Sequence, residues 1–303
     1  MNWKFYLTGG SAWEAMLADC EAATKTIDIE QYIFNPDVIG SRFIKILEAK
    51  RKEGVKVRII CDAVGSHSLR NSEILERLTQ QGIQVRFFNP VKPWRVGNFS
   101  SWFLRDHRKL LIIDKNILHT GGVGIDDRMD GWRDTSVRLE GEVALQADAI
   151  FEQIWQFPKR KFLKFDPRLT QNIEFSFLVN SPRYRSRYIY KSLLRAIKNA
   201  QNYLYISTPY FVPSIRIFRA LNKAARRGVD VRLLLPEKSD VYVADIAAGS
   251  YFALALRAGI KIYLYNPKII LHSKTAVCDN NWGSVGSANL DNLSMLLNHE
   301  GNV

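Results

Sequence analysis

The second half of this chain repeats the first, and a repeat of this length limits the folds that the chain can adopt. Residues 82–90 read GIQVRFFNP, and residues 259–267 read GIKIYLYNP. A period this long indicates duplication of a whole domain and not a short solenoid repeat. We therefore expect two copies of one unit, residues 1–160 and residues 170–303, joined by a polar and basic segment.

Each unit alternates strand patterns with helix patterns. In the first unit these are strands over 26–34, 55–61 and 83–88, with helices over 39–53 and 71–81 between them. The second unit repeats the order, and its strand over 229–235 matches 55–61. Strands joined by helical crossovers pair in parallel. The sequence predicts an α/β fold in which each unit has a mixed, largely parallel sheet flanked by helices.

One octapeptide pattern, HxKxxxxD, occurs in each unit. Residues 107–114 read HRKLLIID, and residues 272–279 read HSKTAVCD. A turn follows each copy at the same distance, since Gly124 lies as far after the first histidine as Asn289 lies after the second. One octapeptide could arise by chance, but two with matching turns predict that two half-sites meet to form one site for a phosphate ester.

The chemistry of this pattern follows from its spacing. On a strand, His and Lys two residues apart point to the same face. Two copies bring His107, Lys109, His272 and Lys274 to one point, which supplies a nucleophile, a proton donor and fixed positive charge. Phosphodiester chemistry with this set needs no metal, and the sequence lacks a cluster with metal-ligand spacing. Three histidines have no repeat partner and are expected to be structural or at the surface: His67, His119 and His299.

Composition limits the partners and the compartment. The formal net charge of +13 favours nucleic acid, acidic lipid surfaces or phosphorylated substrates, although a merely basic surface fits equally well. The cysteines Cys20, Cys61 and Cys278 show no CxxC spacing, which disfavours a disulfide framework and favours a reducing compartment. We expect no membrane-spanning segment and no signal peptide, because no apolar run is long enough and the N-terminus lacks a cleavage pattern.

The two units differ in two places. The loop 91–104 of the first unit mixes aromatic and basic residues, which suits either a lipid interface or a loop folded over the core. The first unit also continues past Asp134 with a strand and a helix, whereas the chain stops at Val303, shortly after Glu300. We expect the closing strand and helix to be missing from the second unit, so that either the chain is truncated or another element covers that sheet edge.

The paired motifs resemble those of the phospholipase D superfamily, and the resemblance covers essentially the whole chain. It implies that one histidine attacks phosphorus to give a phosphohistidine, while the other protonates the leaving alcohol and later activates the incoming hydroxyl. It implies His107 as the nucleophile and His272 as the general acid and base. Lys109 and Lys274 would hold the phosphate, with no cofactor and no metal.

The resemblance also assigns the remaining residues of the motifs. Asn289 matches the asparagine that contacts phosphate in the family, but its counterpart in the first unit is Gly124, which has no side chain for such a contact. Asp114 and Asp279 complete the two catalytic motifs. The resemblance implies that they lie outside direct contact with substrate and have a structural role.

Two further acids complete the expected site. The offset from His107 to Asp134 is nearly equal to the offset from His272 to Glu300. In the family, an acid at this position orients a histidine of the opposite unit. The resemblance thus implies that Asp134 supports His272 and that Glu300 supports His107. A neighbouring carboxylate favours the charged imidazolium, which would help the acid role.

Several fragments are similar to bacterial cardiolipin synthases and related phosphatidyltransferases. They include QYIF at 31–34, TPYFVP at 208–213, WRDT at 132–135 and GSANLD at 286–291. This similarity implies transfer of a phosphatidyl group between anionic glycerophospholipids such as phosphatidylglycerol. It also implies a cytoplasmic protein that binds peripherally to the inner face of the cell membrane.

Three alternatives remain open from the sequence. A phospholipase D that hydrolyses its substrate would use the same site with water as acceptor. A phosphodiesterase of the same superfamily acting on nucleic acid is permitted by the charge, although we favour it less. A non-enzymatic, basic lipid-binding module with an inactive site is disfavoured by the intact motifs. The sequence leaves the donor headgroup, the acceptor alcohol and the oligomeric state undetermined.

Overall fold

The computed structural model describes residues 2–90, 104–156, 174–182 and 186–303. Most of the aromatic, basic loop 91–104 and the predicted joint between the two units lie outside the described residues. No helix in these described ranges is both long and apolar enough to cross a membrane.

The first half is built on one large sheet. In the described residues its strands are β1 (Trp3–Thr8), β2 (Thr26–Gln31), β3 (Lys56–Asp62), β4 (Gln84–Phe88), β5 (Lys109–Ile113), β6 (Ile117–Gly121) and β7 (Arg133–Glu140). They lie in the order β1-β7-β6-β5-β2-β3-β4. The helices are α1 (Gly9–Ala22), α2 (Val38–Lys52), α3 (His67–Arg70), α4 (Glu73–Gln80) and α5 (Glu142–Trp155).

The second half repeats this plan with a smaller main sheet. Its described strands are β8 (Leu178–Ser181), β9 (Ser186–Arg187), β10 (Tyr203–Ser207), β11 (Phe211–Val212), β12 (Asp230–Pro236), β13 (Lys261–Tyr265), β14 (Thr275–Cys278), β15 (Trp282–Val285), β16 (Leu290–Asp291) and β17 (Glu300–Asn302). The main sheet has the order β13-β12-β10-β14-β15, beside the smaller sheets β11-β16 and β17-β8-β9. Its helices are α6 (Tyr188–Asn199), α7 (Ile215–Arg226) and α8 (Tyr242–Arg257).

Both halves pair their central strands in the same register. Ile27 of β2 lies opposite Ile113 of β5, and Leu204 of β10 lies opposite Cys278 of β14. In each half these are the strand that precedes the first crossover helix and the strand of the HxK motif. The predicted mixed α/β architecture with flanking helices is therefore confirmed in both halves.

Apolar side chains cover both faces of the first sheet. Leu111 and Ile113 of β5 belong to the core that includes α1 and α2. Leu110 and Ile112 belong to a second core that includes α5. The strand β5 is thus buried on both faces, as its run of apolar residues predicts.

Parallel pairing is less extensive than the sequence predicts. In the first sheet only β2–β3 and β3–β4 are parallel among the described strands, and the other pairs are antiparallel. One reason is the tight turn that ends each motif strand and makes β5–β6 and β14–β15 antiparallel. Asp114 and Lys115 have φ of 51° and 57°, and Asp279 and Asn280 have φ of 47° and 55°. Such left-handed turns return the chain as a hairpin, which gives antiparallel strands without a helical crossover.

The second half has a short counterpart of the closing strand β7. The sequence predicts that this strand is missing, but residues from Glu300 onward form β17, which pairs with β8. Val285 and Val303 also exchange backbone hydrogen bonds of 2.9 and 2.8 Å beside β15. The edge of the second sheet is thus extended by the residues at the end of the chain.

Candidate active site

The two histidines of the HxK motifs lie where the two halves meet. His107 lies just before β5, and His272 lies just before β14, so neither lies within its strand as the spacing alone predicts. The backbone N–H of His107 donates to the carbonyl of His299 at 2.9 Å, and that of His272 donates to the carbonyl of Arg133 at 2.8 Å. Each histidine is therefore fixed by backbone of the opposite half.

Each histidine also contacts an acid of the opposite half. The Nδ1 atom of His107 lies 3.1 Å from Oε2 of Glu300, and Nδ1 of His272 lies 2.6 Å from Oδ2 of Asp134. Both acids are buried. A partner on Nδ1 fixes the ring orientation and leaves Nε2 as the nitrogen for chemistry.

The two lysines are buried beside the histidines. The ammonium of Lys109 donates to the carbonyl of His107 at 3.0 Å, and the ammonium of Lys274 donates to the carbonyl of His272. Burial lowers the pKa of Lys109 to about 8, against the opposing effect of Glu300. Burial lowers the pKa of Lys274 to about 7, and the nearby Lys109 contributes in the same direction. Two buried cations at one point form a site that an anion would stabilise.

Opposing effects act on the pKa of His272. Burial lowers the pKa of His272 to about 4, and Lys274 lowers it further, although Asp134 raises it. Burial raises the pKa of Asp134, but His272 and Lys274 outweigh that effect and the pKa is lowered overall. Asp134 therefore favours the imidazolium of His272, as expected, but burial and the neighbouring Lys274 have the larger effect on the pKa of this histidine.

An aromatic ring lies against each histidine. The ring centroid of Tyr32 is 4.8 Å from that of His107, and the centroid of Trp132 is 5.2 Å from that of His272. Sequence reasoning did not assign these two rings to the site. Their signal was present, since Tyr32 and Trp132 belong to the fragments QYIF and WRDT that carry the resemblance.

Comparison with known proteins identifies the family. Residues 16–155 and 193–303 match the family model described as "Cardiolipin synthase, PLD-like domain". The chain belongs to this family. It is 34% identical over 316 residues to the cardiolipin synthase of Clostridium perfringens strain SM101, and 33% identical over 316 residues to the probable cardiolipin synthase YwiE of Bacillus subtilis strain 168. These alignments cover 98% and 100% of this chain, but the chain spans only 65% and 62% of the relatives.

Solved structures agree on the fold. Phosphatidylserine synthase of Haemophilus influenzae aligns with a TM-score of 0.74 and 12% identity, over 99% of this chain and 81% of its own. Polyphosphate kinase of Porphyromonas gingivalis aligns with a TM-score of 0.66 and 15% identity, over 99% of this chain and 44% of its own. At these identities the similarity is one of architecture.

Asn289 and Gly124, which lie at the same distance after the two motif histidines, differ in their surroundings. Asn289 is buried, and its amide oxygen has no hydrogen-bond partner among the described residues. At Gly124 the carbonyl accepts from the indole N–H of Trp13 at 2.8 Å. A Cβ at this glycine would lie 3.2 Å from Cε of Met129. Packing of Met129 thus occupies the space around Gly124 that a side chain would need.

The aspartates of the two motifs lie at the far ends of their strands. The carboxylate of Asp114 accepts hydrogen bonds of 2.7–2.9 Å from the backbone N–H groups of residues 24–26 and from the hydroxyl of Thr24. The carboxylate of Asp279 accepts from the backbone N–H groups of residues 201–203. This placement corrects the grouping of Asp114 and Asp279 with the catalytic residues and supports the structural role that the resemblance implies.

The three unrepeated histidines lie outside the paired motifs. His119 contacts Asp19 at 2.6 Å, and Nδ1 of His299 lies 2.8 Å from the hydroxyl of Ser181. His67 is exposed and contacts Asn71. In the described ranges, no group of three or more His, Cys, Asp and Glu residues is arranged to hold a metal ion. The three cysteines are buried and free.

Proposed function

We propose that this chain is a cardiolipin synthase-like phosphatidyltransferase that moves a phosphatidyl group between glycerophospholipids through a phosphohistidine intermediate. The observation that carries the proposal is the crossed arrangement of the site. Each HxK histidine is held by an acid and by backbone of the other half, with two buried lysines beside them. Membership of the cardiolipin synthase, PLD-like domain family supports the choice of a lipid substrate.

The first step forms the covalent intermediate. Nε2 of His107 attacks phosphorus of the donor lipid, and the bond from phosphorus to the headgroup oxygen breaks. His272 delivers a proton to that oxygen, so that the headgroup leaves as a neutral alcohol. Lys109, Lys274 and Asn289 bind the phosphate oxygens, on which charge increases in the transition state.

The second step releases the phosphatidyl group. His272, now neutral, takes the proton from the hydroxyl of the acceptor lipid as that oxygen attacks phosphorus. The bond between phosphorus and Nε2 of His107 breaks, which restores the starting state. With phosphatidylglycerol as donor and acceptor, the products are cardiolipin and glycerol.

Protonation of His272 depends on the substrate in this scheme. Burial and Lys274 lower the pKa of this histidine to about 4. The phosphodiester anion adds a negative charge next to the imidazole and offsets the two lysines, which raises the pKa. An anionic substrate therefore favours the protonated form of His272, which is the form that donates a proton to the leaving oxygen.

The substrate and location follow from charge and family. The net charge of +13 favours anionic lipid over zwitterionic lipid. We place the protein at the inner face of the cell membrane, bound peripherally, with phosphatidylglycerol as the substrate and with no cofactor. Nucleic acid is the less favoured substrate.

A product assay tests this function. The protein is given phosphatidylglycerol vesicles and single-stranded DNA together, with EDTA present, and the products are identified by mass spectrometry. We expect cardiolipin, intact DNA and no effect of EDTA. Phosphatidic acid in place of cardiolipin would identify a hydrolase, DNA cleavage without new lipid would identify a nuclease, and loss of activity in EDTA would contradict the metal-free mechanism. The His107→Asn variant, which lacks the proposed nucleophile, is the inactive control for this assay.

A further inference from the structure

Two buried hydroxyls join the two halves of the chain beside His272. The hydroxyl of Ser273, the middle residue of the second HxK motif, lies 2.8 Å from the hydroxyl of Thr135 in the first half. Both side chains are buried. The contact connects the residue that follows Asp134 in the chain to the residue that follows His272.

This contact closes a ring of hydrogen bonds that contains His272. The backbone N–H of Thr135 donates to Oδ1 of Asp134 at 2.7 Å. The other carboxylate oxygen, Oδ2, lies 2.6 Å from Nδ1 of His272. His272 is joined through the chain to Ser273, whose hydroxyl returns to Thr135. The acid and the histidine are therefore linked twice, once directly and once through the two hydroxyls.

Arg133 holds the same ring from the side of the first half. Its guanidinium nitrogen Nη1 lies 3.2 Å from the hydroxyl of Thr135 and 3.1 Å from that of Ser273. The same nitrogen donates to the carbonyl of Asp134 at 2.8 Å. A guanidinium only donates hydrogen bonds, so the bond between the two hydroxyls uses a hydroxyl proton. The backbone carbonyl of Arg133 also accepts from the N–H of His272, so one arginine contacts every member of the ring.

The first half-site carries different residues at the equivalent positions. Glu300 is followed by Gly301, which has no side chain, and the middle residue of the first motif is Arg108. The guanidinium of Arg108 forms ion pairs with Glu30 and Asp106 of its own half. A pair of hydroxyls that joins the two halves is therefore a feature of the second motif.

The two histidines have different requirements in the proposed function. His107 becomes bonded to phosphorus, and that bond fixes its position in the intermediate. His272 is not bonded to the substrate, yet it must deliver a proton to the leaving oxygen and later take one from the acceptor. Proton transfer requires the two heavy atoms to lie within hydrogen-bond distance, and a small displacement lowers the rate strongly. The orientation of His272 thus depends on contacts with the protein.

We propose that Ser273 and Thr135 are positioning residues, whose paired hydroxyls fix the orientation of His272 for proton transfer. This proposal rests on the proposed function, because it assigns the ring to the histidine that carries protons. The two hydroxyls take no part in making or breaking bonds. Loss of the pair should therefore slow the steps in which His272 donates or accepts a proton and leave the attack on phosphorus unchanged.

Two substrates that differ in their leaving group test the proposal. Short-chain phosphatidylglycerol releases glycerol, which needs a proton, whereas the p-nitrophenyl ester with the same acyl chains releases p-nitrophenolate, which needs none. A single turnover of the Ser273→Ala variant is followed for each substrate by rapid quench. We expect glycerol release to slow by about tenfold or more, while release of p-nitrophenolate stays within about twofold of the wild type.

Two substitutions of Thr135 separate the effect of the hydroxyl from that of packing. Thr135→Val keeps the branched shape without the hydroxyl, and Thr135→Ser keeps the hydroxyl without the methyl group. We expect Thr135→Val to behave like Ser273→Ala and Thr135→Ser to restore glycerol release. The double variant should be about as slow as either single variant, because the two residues act as one unit. Ser11→Ala is the control, since Ser11 forms a similar bond of 2.9 Å with Thr8 at the surface.

Proton NMR reports on the ring without any turnover. The Nδ1 proton of His272, hydrogen-bonded to buried Asp134, should give a low-field resonance that the His272→Asn variant assigns. In Ser273→Ala and Thr135→Val we expect this proton to exchange with water at least about tenfold faster than in the wild type, since the ring is open. In Ser11→Ala it should exchange as in the wild type, and circular dichroism melting checks that each variant is folded.

The outcomes distinguish this proposal from the proposed function. Equal losses on both substrates in folded Ser273→Ala would overturn the proposal, because a general disturbance slows every step. Unchanged glycerol release and unchanged proton exchange in Ser273→Ala and Thr135→Val would also overturn it. A wild type that releases neither product would contradict the proposed function, and the NMR measurement would then decide by itself whether the hydroxyl pair holds His272.

Discussion

Gly122 and Ser287 occupy equivalent positions, at the same offset after the motif histidine of each half, and they contact the two acids differently. The hydroxyl of Ser287 donates to Oε2 of Glu300, so this acid has a side-chain donor besides His107. At Gly122 a Cβ would lie 2.1 Å from Oδ1 of Asp134. The backbone thus approaches Asp134 so closely that only glycine fits. The two acids are held by different means, which gives the two histidines different surroundings.

The variant Gly122→Ala should displace Asp134 from His272. We expect kcat to fall by about 10²-fold or more, comparable to Asp134→Ala, because the acid and base step depends on the orientation of the histidine. Gly249→Ala is the control, since a Cβ there meets no atom within 4 Å. The measurement is kcat on short-chain phosphatidylglycerol, with the melting temperature recorded for each variant. Full activity of folded Gly122→Ala would contradict the supporting role of Asp134.

Lys274→Met should stabilise the fold while it abolishes activity. Burial lowers the pKa of Lys274 to about 7, so the folded state carries the cost of a charge that the unfolded chain keeps in water. We expect a gain on the order of 2 kcal/mol at pH 7, measured by urea unfolding. Below the folded pKa of about 7 the cost is complete. It declines as pH rises toward 10.5, the ordinary lysine value, because the unfolded state binds the extra proton in that range.

The control for this comparison is Lys56→Met, at an exposed lysine of β3. Its stability should stay within about 0.5 kcal/mol of the wild type, as is usual for surface positions. A stability gain for Lys274→Met that does not shrink between pH 7 and pH 10.5 would show that burial of charge is not its cause.

At the scale of elements, the hairpin that ends each motif strand explains why the pattern HxKxxxxD has its length. Strand β5 runs from Lys109 to Ile113, and Asp114 starts the left-handed turn to β6. The carboxylate of Asp114 reaches back to the backbone that leads into β2. One residue therefore fixes the turn and the start of the neighbouring strand. This contact holds β5 in register and so positions His107 at the other end.

Asp114→Ala should destabilise the protein without affecting the chemistry. Loss of several charge-assisted hydrogen bonds should cost roughly 2–3 kcal/mol, seen as a lower urea midpoint. The rate per folded molecule should stay within about twofold of the wild type at a temperature where both are folded. Asp114→Asn should recover part of the stability. A loss of kcat of more than tenfold in folded Asp114→Ala would instead assign this residue a part in the reaction.

The secondary structure of these elements can be predicted from the sequence, but their tertiary pairing and burial cannot. Apolar runs and turn residues predicted the strands before and after His107, because they depend on neighbours along the chain. The sequence of the edge strand β1 does not by itself indicate a strand, and β1 is defined by its pairing with β7. The exposed side of α8 is apolar, so sequence alone suggests a buried helix. The low pKa of His272 depends on burial and on Lys274, and burial is set by tertiary contacts.

At the scale of the whole molecule, the duplication produces one site because each half contacts the motif histidine of the other half. Backbone of Arg133 fixes His272, and backbone of His299 fixes His107. Neither motif histidine is held by an acid of its own half, since the acids also cross over. The family resemblance, together with the matching offsets of Asp134 and Glu300, predicted that each acid supports the histidine of the opposite half. The spacing of residues within one half could not have predicted this pairing. The site therefore exists only in the assembled chain.

The central claim is that this single site carries the phosphatidyl group on His107 and uses His272 for proton transfer. A phosphatidyl ester of p-nitrophenol tests it, because this leaving group departs without a proton. Wild type, His107→Asn and His272→Asn are mixed with the ester, quenched at high pH and mapped by mass spectrometry. We expect His272→Asn to release one equivalent of p-nitrophenol and to keep one phosphatidyl group on His107, while His107→Asn forms no adduct. An adduct on His272 in His107→Asn, or two adducts per chain, would contradict these roles.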